Sequence, residues 1–184
     1  MANSGWVANT GTVNDALTTD NGDTSFAEAG SDGEACTLAF ADPSVAESGI
    51  SSITSVQILT TGRYPPRGSG GTDVDFLFEV GASTGLAETL NYSNSAVHGT
   101  QNGTARTVNT AGSAWSYSDL EDVELRLTKN GTVSADVRIT MVNLLVTYVE
   151  ATGYGNAVMG VASANISEVN GVATANIAKV IGVD

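Results

Sequence analysis

The chain has 184 residues, 41% of them hydrophobic, with one cysteine and one histidine. Its 20 acidic and 7 basic residues give a formal charge of −13. That charge argues against binding to nucleic acid or to an anionic membrane surface, because both need clustered Lys and Arg. The single cysteine excludes an internal disulfide, and no apolar run approaches the roughly 20 residues of a membrane span.

The predicted elements are strands almost throughout. Residues 36–40 form the first, in which Cys36 shares a face with Leu38 and Phe40, and this placement predicts a buried, inert thiol. Residues 53–60 form the next candidate strand. Alternation of apolar and acidic residues over 74–80 then predicts a strand with one face exposed to solvent.

The second half of the chain continues this pattern. Residues 123–128 alternate cleanly, whereas residues 137–149 begin with alternation and become apolar on both sides through 142–146. Such a run is typical of a central strand covered on two faces. Between the strands, Ser118 is the predicted N-cap of a single helical turn over 118–122.

Turn chemistry separates these strands. Asn and Gly, which tolerate positive φ, recur between the apolar segments, as at Asn102-Gly103 and Asn130-Gly131. Many short strands at this spacing predict an all-β fold, an antiparallel jelly-roll β-sandwich, for residues 1–150.

Residues 151–184 have a different composition and contain an 11-residue repeat. Gly160-Val-Ala-Ser-Ala-Asn-Ile166-Ser-Glu-Val-Asn is followed by Gly171-Val-Ala-Thr-Ala-Asn-Ile177-Ala-Lys-Val-Ile, and a third copy begins at Gly182. Two repeats cannot enclose a core, so we interpret 151–184 as an assembly arm that packs on other subunits. Folding back onto its own sandwich is the alternative, and the choice between helix and strand stays open. The predicted contact residues are Val161, Ile166, Val169, Val172, Ile177 and Val180.

Residues and motifs that carry out catalysis are scarce in this sequence. We therefore predict that the chain is not an enzyme and needs no cofactor. His98 stands in a loop-like context without a nucleophile elbow, and no phosphate loop, dinucleotide fingerprint or zinc spacing occurs. A catalytic carboxylate pair would need two acids converging within roughly 5 to 10 Å. Asp20 and Asp23 are weak candidates for a Ca²⁺ site, since their loop is equally a good turn, so no metal is expected.

Four aromatic residues are candidates for stacking against a sugar ring: Tyr64, Tyr92, Trp115 and Tyr117. Tyr64 and Tyr92 are predicted to lie in loops. Trp115 and Tyr117 would share a face if extended, an arrangement that more often builds one end of a core.

Two segments resemble known families. Residues 13–24 and 53–56, with Ala114-Trp115 before Asp119-Leu120 and a final strand from Val137 to Tyr148, resemble a jelly-roll family of tailed-phage structural proteins. Asn176-Ile-Ala-Lys-Val-Ile-Gly-Val183 resembles the Ile-X-Lys-Val-Asn-Gly-Val repeats at the ends of phage virion proteins, with Ile181 where Asn is usual. Neither resemblance implies catalytic residues.

The resemblance implies a bacteriophage virion structural protein, and an outer capsid decoration or cement protein is the leading hypothesis. The alternative is a tail, collar or head-fibre protein whose sandwich binds a host glycan. Expected partners are further copies of the chain, with a trimer among the oligomers considered, and the major capsid protein. Met1 to Trp6 lacks a signal peptide, so we expect synthesis in the host cytoplasm and a final place on the outer surface of the virion.

Overall fold

A computed structural model describes residues 3–17, 24–64, 71–93, 97–131, 136–151, 168–169 and 172–173. Two five-stranded antiparallel sheets account for most of them. The strands of the sandwich are β1 (Asn3–Ser4), β2 (Val7–Ala8), β3 (Ala27–Ala29), β4 (Ala35–Ala39), β5 (Ile50–Arg63), β6 (Gly71–Val80), β7 (Ser83–Ser93), β8 (Gly99–Asn102), β9 (Val123–Asn130) and β10 (Val137–Glu150).

One sheet has the order β1-β4-β9-β6-β7 and the other has the order β2-β3-β10-β5-β8. β6 and β7 are consecutive in sequence and pair with each other, but other neighbours are far apart in sequence, as at β10 and β5, where Leu144 lies opposite Ile58. The architecture is the all-β, antiparallel jelly-roll β-sandwich that the sequence predicts.

The core fills the space between the sheets with the inward-facing side chains of both. Alternation places Phe76 and Phe78 of β6 beside Leu125 and Leu127 of β9, and all four are fully buried. Cys36 is buried as predicted. Burial of these side chains from water supplies the main favourable term in the folding of this part of the chain.

Two short α-helices and one 3₁₀ helix (Glu47–Gly49) interrupt the strands in the described residues. α1 (Val13–Ala16) was not predicted, because four residues are too few to show a helical period. α2 (Tyr117–Asp122) lies where one turn was predicted, but its N-cap is Ser116 and not Ser118. Ser116 accepts from the backbone N–H of Asp119, and the Asp119 carboxylate accepts from the backbone N–H of Ser116, which is a capping box.

The C-terminal repeat contributes two described strands, β11 (Glu168–Val169) and β12 (Val172–Ala173). They pair with each other antiparallel in a two-stranded sheet, with Val169 opposite Val172. The two residues between them are Asn170-Gly171, a sequence that favours a tight hairpin turn. This part of the repeat is therefore extended, as the Gly, Val and Ile content favours, and not helical.

Candidate functional site

The second half of β10 has an open edge on one side. β5 pairs with β10 from Arg138 to Glu150, but β3 pairs with the other edge only from Val137 to Ile139. The backbone N–H of Val142 then donates to the carbonyl of Leu17 at 3.0 Å. From 143 to 150, no strand among the described residues pairs with this edge.

The exposure along the same stretch corrects a prediction. Exposed and half-buried positions alternate from Asn143 to Val149. Leu145 is 46% exposed and Val149 is 53% exposed, so the strand is not covered on two faces. Residues 142–146 are apolar on both sides of the strand, which predicted burial of both faces. Whether a face is covered depends on the elements that pack on it and not on the sequence of the strand itself.

An apolar cleft of about 540 Å³ lies along this part of β10 and is lined by residues of both sheets. Its volume lies within the range of roughly 300 to 1,000 Å³ that ligand pockets show. We call it the β10 cleft. Its apolar lining comes from the segment after β4 and from β5, α2, β9 and β10: Phe40, Ala41, Pro43, Val45, Ile50, Leu59, Leu120, Val123, Leu144, Leu145, Val146 and Tyr148.

The wall opposite β10 is fixed by a hydrogen bond. The hydroxyl of Tyr117, in the first turn of α2, donates to the carbonyl of Val45 at 3.1 Å. Desolvation, followed by the nearby carboxylates of Glu121, Asp42 and Glu47, raises the pKa of Tyr117. The protonated phenol links α2 to Val45 in the segment that lines the cleft.

The predicted sugar-stacking residues are not assembled into a platform. Tyr64, Tyr92 and Trp115 are all buried, so none of them offers a ring face to a sugar. Tyr92 shares a hydrogen bond of 2.6 Å with the hydroxyl of Thr60, and burial raises its pKa. This removes three of the four candidates, and Tyr117 alone is half-buried.

Trp115 is a core residue, the role that the sequence analysis gives as the more frequent one for this arrangement. Its indole N–H donates to the carbonyl of Arg106 at 2.9 Å. Its ring packs edge-on against Phe78, with centroids 6.0 Å apart. A buried indole that satisfies its polar atom in this way belongs to the core, which is the second interpretation that the sequence left open.

A second depression lies on the outer face of the other sheet, across β6, β7 and β9, with a volume of about 430 Å³. Its side chains are mostly polar. Asp75 accepts from the hydroxyl of Thr89 at 2.6 Å and from the amide of Asn130 at 2.9 Å. Arg126 also lines this polar groove. Polar side chains outnumber apolar ones in this groove, whereas most of the side chains that line the β10 cleft are apolar.

The remaining predicted site residues are only partly described. Asp20 and Asp23 lie outside the described residues, and the part of the chain that is described contains no cluster of three metal-ligating side chains. Of the arm residues, Val169 and Val172 occupy opposite register positions in the pairing of β11 with β12. The other four, Val161, Ile166, Ile177 and Val180, lie outside the described residues.

Comparison with known proteins gives little beyond architecture. No protein-family model and no curated protein matches the chain. The N-terminal cellulose-binding domain of Cellulomonas fimi β-1,4-glucanase C is 18% identical over 79% of this chain and 90% of its own, with a TM-score of 0.42. The CBM22-1 xylan-binding domain of Xyn10C from Paenibacillus barcinonensis is 15% identical over 79% and 87%, with a TM-score of 0.39.

These similarities are too low to carry an argument about what this chain binds. In the described residues, no helix has both the length and the apolar character needed to cross a membrane. The case for function therefore rests on the β10 cleft, the polar groove and the sequence of the arm.

Proposed function

We propose that this chain is a non-enzymatic structural subunit of a bacteriophage particle, most specifically an outer capsid decoration protein that assembles through its C-terminal arm. One observation carries the proposal: the sandwich has an apolar cleft and an open strand edge beside Glu150, where the chain passes into an apolar repeat. The similarity of that repeat to those of phage virion proteins supports the virion setting.

The distribution of charge supports an outward-facing body. The arm, 151–184, contains Glu168, Lys179 and Asp184 and therefore has a charge of −1, which leaves −12 of the total −13 for residues 1–150. A body with this charge is repelled by packaged nucleic acid. The nearly neutral arm is the part that can approach another subunit without a large electrostatic cost.

Removal of the arm tests the assembly claim. The described core lies between Trp6 and Tyr148, so a 1–150 chain keeps all of it. We expect circular dichroism to show the same β spectrum for both chains, and light scattering to show an oligomer for the full chain and a monomer for 1–150. Equal, monomeric behaviour of the two folded chains would contradict the proposal.

Electron microscopy with gold-labelled antibody tests the virion claim. We expect an antibody raised against the 1–150 body to label the outside of intact phage heads. Labelling confined to tails or fibres would instead favour the alternative position in the particle. Labelling of cell surfaces without particles would contradict a virion role altogether.

The polar groove supports a second candidate function, a tail, collar or head-fibre protein that binds a glycan. Asp75, Thr89, Arg126 and Asn130 present the donors and acceptors that a sugar requires. Hydrogen bonds to these groups would hold the sugar, because no exposed aromatic ring lines the described groove. A glycan array signal that Asn130→Ala abolishes would favour this candidate, with Val7→Ala on the other sheet as the matched control.

A further inference from the structure

We infer that the β10 cleft receives an 11-residue repeat from the arm of a second copy of this chain, which adds as a strand along the open edge of β10. The inference rests on the proposed assembly role and names the partner of that site. It is carried by the backbone of the edge, the side chains of the cleft and the composition of the arm.

The backbone supplies the first argument. An unpaired strand edge presents a row of N–H and C=O groups that readily pair with another strand. Natural edges are usually blunted by charged residues, Pro or short length. The described edge from Asn143 to Val149 has none of these, and it holds Leu144, Leu145 and Val146 in succession. Strand addition satisfies the backbone and covers the apolar side chains at once.

The side chains supply the second argument. Leu144, Val146 and Tyr148 are half-buried and line the cleft, and exposed Leu145 lines it too. Val149, which shares a face of β10 with Leu145, is also exposed. A strand added here is therefore flanked by apolar groups on both faces. Val, Ala and Ile recur in each repeat, with one charged residue per repeat, so the repeat can present apolar side chains to both faces and loses little rotamer entropy on packing.

The third argument concerns which copy provides the strand. The described strands of the arm, β11 and β12, pair with each other and not with β10. A two-stranded hairpin is at best marginally stable alone, so it gains by docking on a further surface. Each copy then gives one arm and receives another. Such a head-to-tail contact closes into a ring, as in a trimer, or grows into a filament.

Cross-linking between full-length chains tests the inference. Chains with Leu145→Cys and chains with Ile166→Cys or Ile177→Cys, each type with its own tag, are expressed together and treated with a short bis-maleimide. We expect a heterodimer band that carries both tags. Val7→Cys replaces Leu145→Cys in the matched control, because Val7 is an exposed valine on β2, at the edge of the same sheet. That control should give no band.

The outcomes separate the two proposals. A third chain carries both Leu145→Cys and Ile166→Cys. If it cross-links internally while the two tagged chains give no heterodimer, the arm covers its own cleft and the inference is wrong. Absence of any cross-link in an oligomer that depends on the arm means that the arm docks elsewhere, so the inference fails while the assembly role stands. A monomeric full chain overturns the assembly role itself.

A charge placed on the edge gives an independent test. Val149→Lys puts an ammonium group where the added strand would bury it, and an unpaired buried charge is costly. We expect self-association of the full chain to weaken by at least about tenfold, with an unchanged circular dichroism spectrum. Val7→Lys should leave the association constant unchanged. Equal behaviour of the two variants would contradict strand addition at β10.

Discussion

Among single residues, Cys36 has the clearest chemical consequence. Its side chain is buried, and desolvation raises the pKa of the thiol to about 12. The reactive thiolate is therefore scarce at neutral pH. We expect no reaction with a thiol reagent at pH 8 in the native protein and complete reaction in denaturant. Cys36 is the only cysteine in the sequence, so the signal is unambiguous. Rapid native labelling would mean that the strands around it open.

Trp115 allows a direct test of whether its ring belongs to the core or to a sugar-stacking surface. Its ring packs on Phe78, and its indole N–H is bonded to Arg106. We expect Trp115→Ala to lower the free energy of unfolding by about 3 to 5 kcal/mol, as deletion of a buried aromatic side chain does. Urea denaturation measures this loss. A sugar-stacking surface residue would instead leave stability unchanged, and Tyr117→Phe, which removes one hydrogen bond, should cost only about 1 kcal/mol.

At the scale of elements, α2 depends on its N-terminal cap. The hydroxyl of Ser116 accepts from the backbone N–H of Asp119 at 3.2 Å. We expect Ser116→Ala to reduce the free energy of unfolding by about 1 kcal/mol, the usual cost of losing such a cap. Ser118→Ala is the matched control, because Ser118 bonds only to the Ser116 hydroxyl in the described contacts. An equal loss from both variants would contradict the assignment of Ser116 as the N-cap.

The same cap makes stability depend on pH. Burial alone would raise the pKa of Asp119, but hydrogen bonds from Ser116 and Asn109 outweigh it and lower the pKa. A depressed folded pKa contributes stability that is present above the unfolded value of about 4 and is lost as pH falls through the folded value. We expect stability to decline in acid, and Asp119→Asn to reduce the slope there. An unchanged slope would contradict this role.

The sequence predicted those strands along which apolar and polar residues alternate regularly. β9 alternates cleanly and β6 alternates except at Leu77, and both were predicted, whereas β7 was missed. Leu86 in β7 has a φ of +52°, and the pairing with β6 shifts register between Phe76 and Phe78. Such irregularity breaks the period of two that identifies a strand.

The candidate site could not be predicted in the same way. Apolar residues on both sides of β10 indicated that both of its faces are buried. The elements that would bury them are distant in sequence, so the sequence of β10 does not show whether they are present. β3 is three residues long and ends its pairing at Ile139. The β10 cleft therefore results from the lengths of other elements, and only the neighbouring repeat indicated that this end of the chain serves assembly.

For the whole molecule, the charge of −13 opposes association of copies while the apolar arm favours it. Salt screens charges beyond about 10 Å at 0.1 M, but it does not weaken apolar burial. Raising NaCl from about 0.02 M to about 0.5 M should therefore strengthen self-association of the full chain.

Sedimentation velocity at matched protein concentration measures this effect. The 1–150 chain is the control and should remain a monomer at both salt concentrations, because it has the acidic body without the arm. Dissociation of the full chain by salt would contradict an apolar contact at the β10 cleft, since only an interface built on ion pairs weakens under screening. Charge repulsion between the bodies and burial of the arm would then no longer account for assembly.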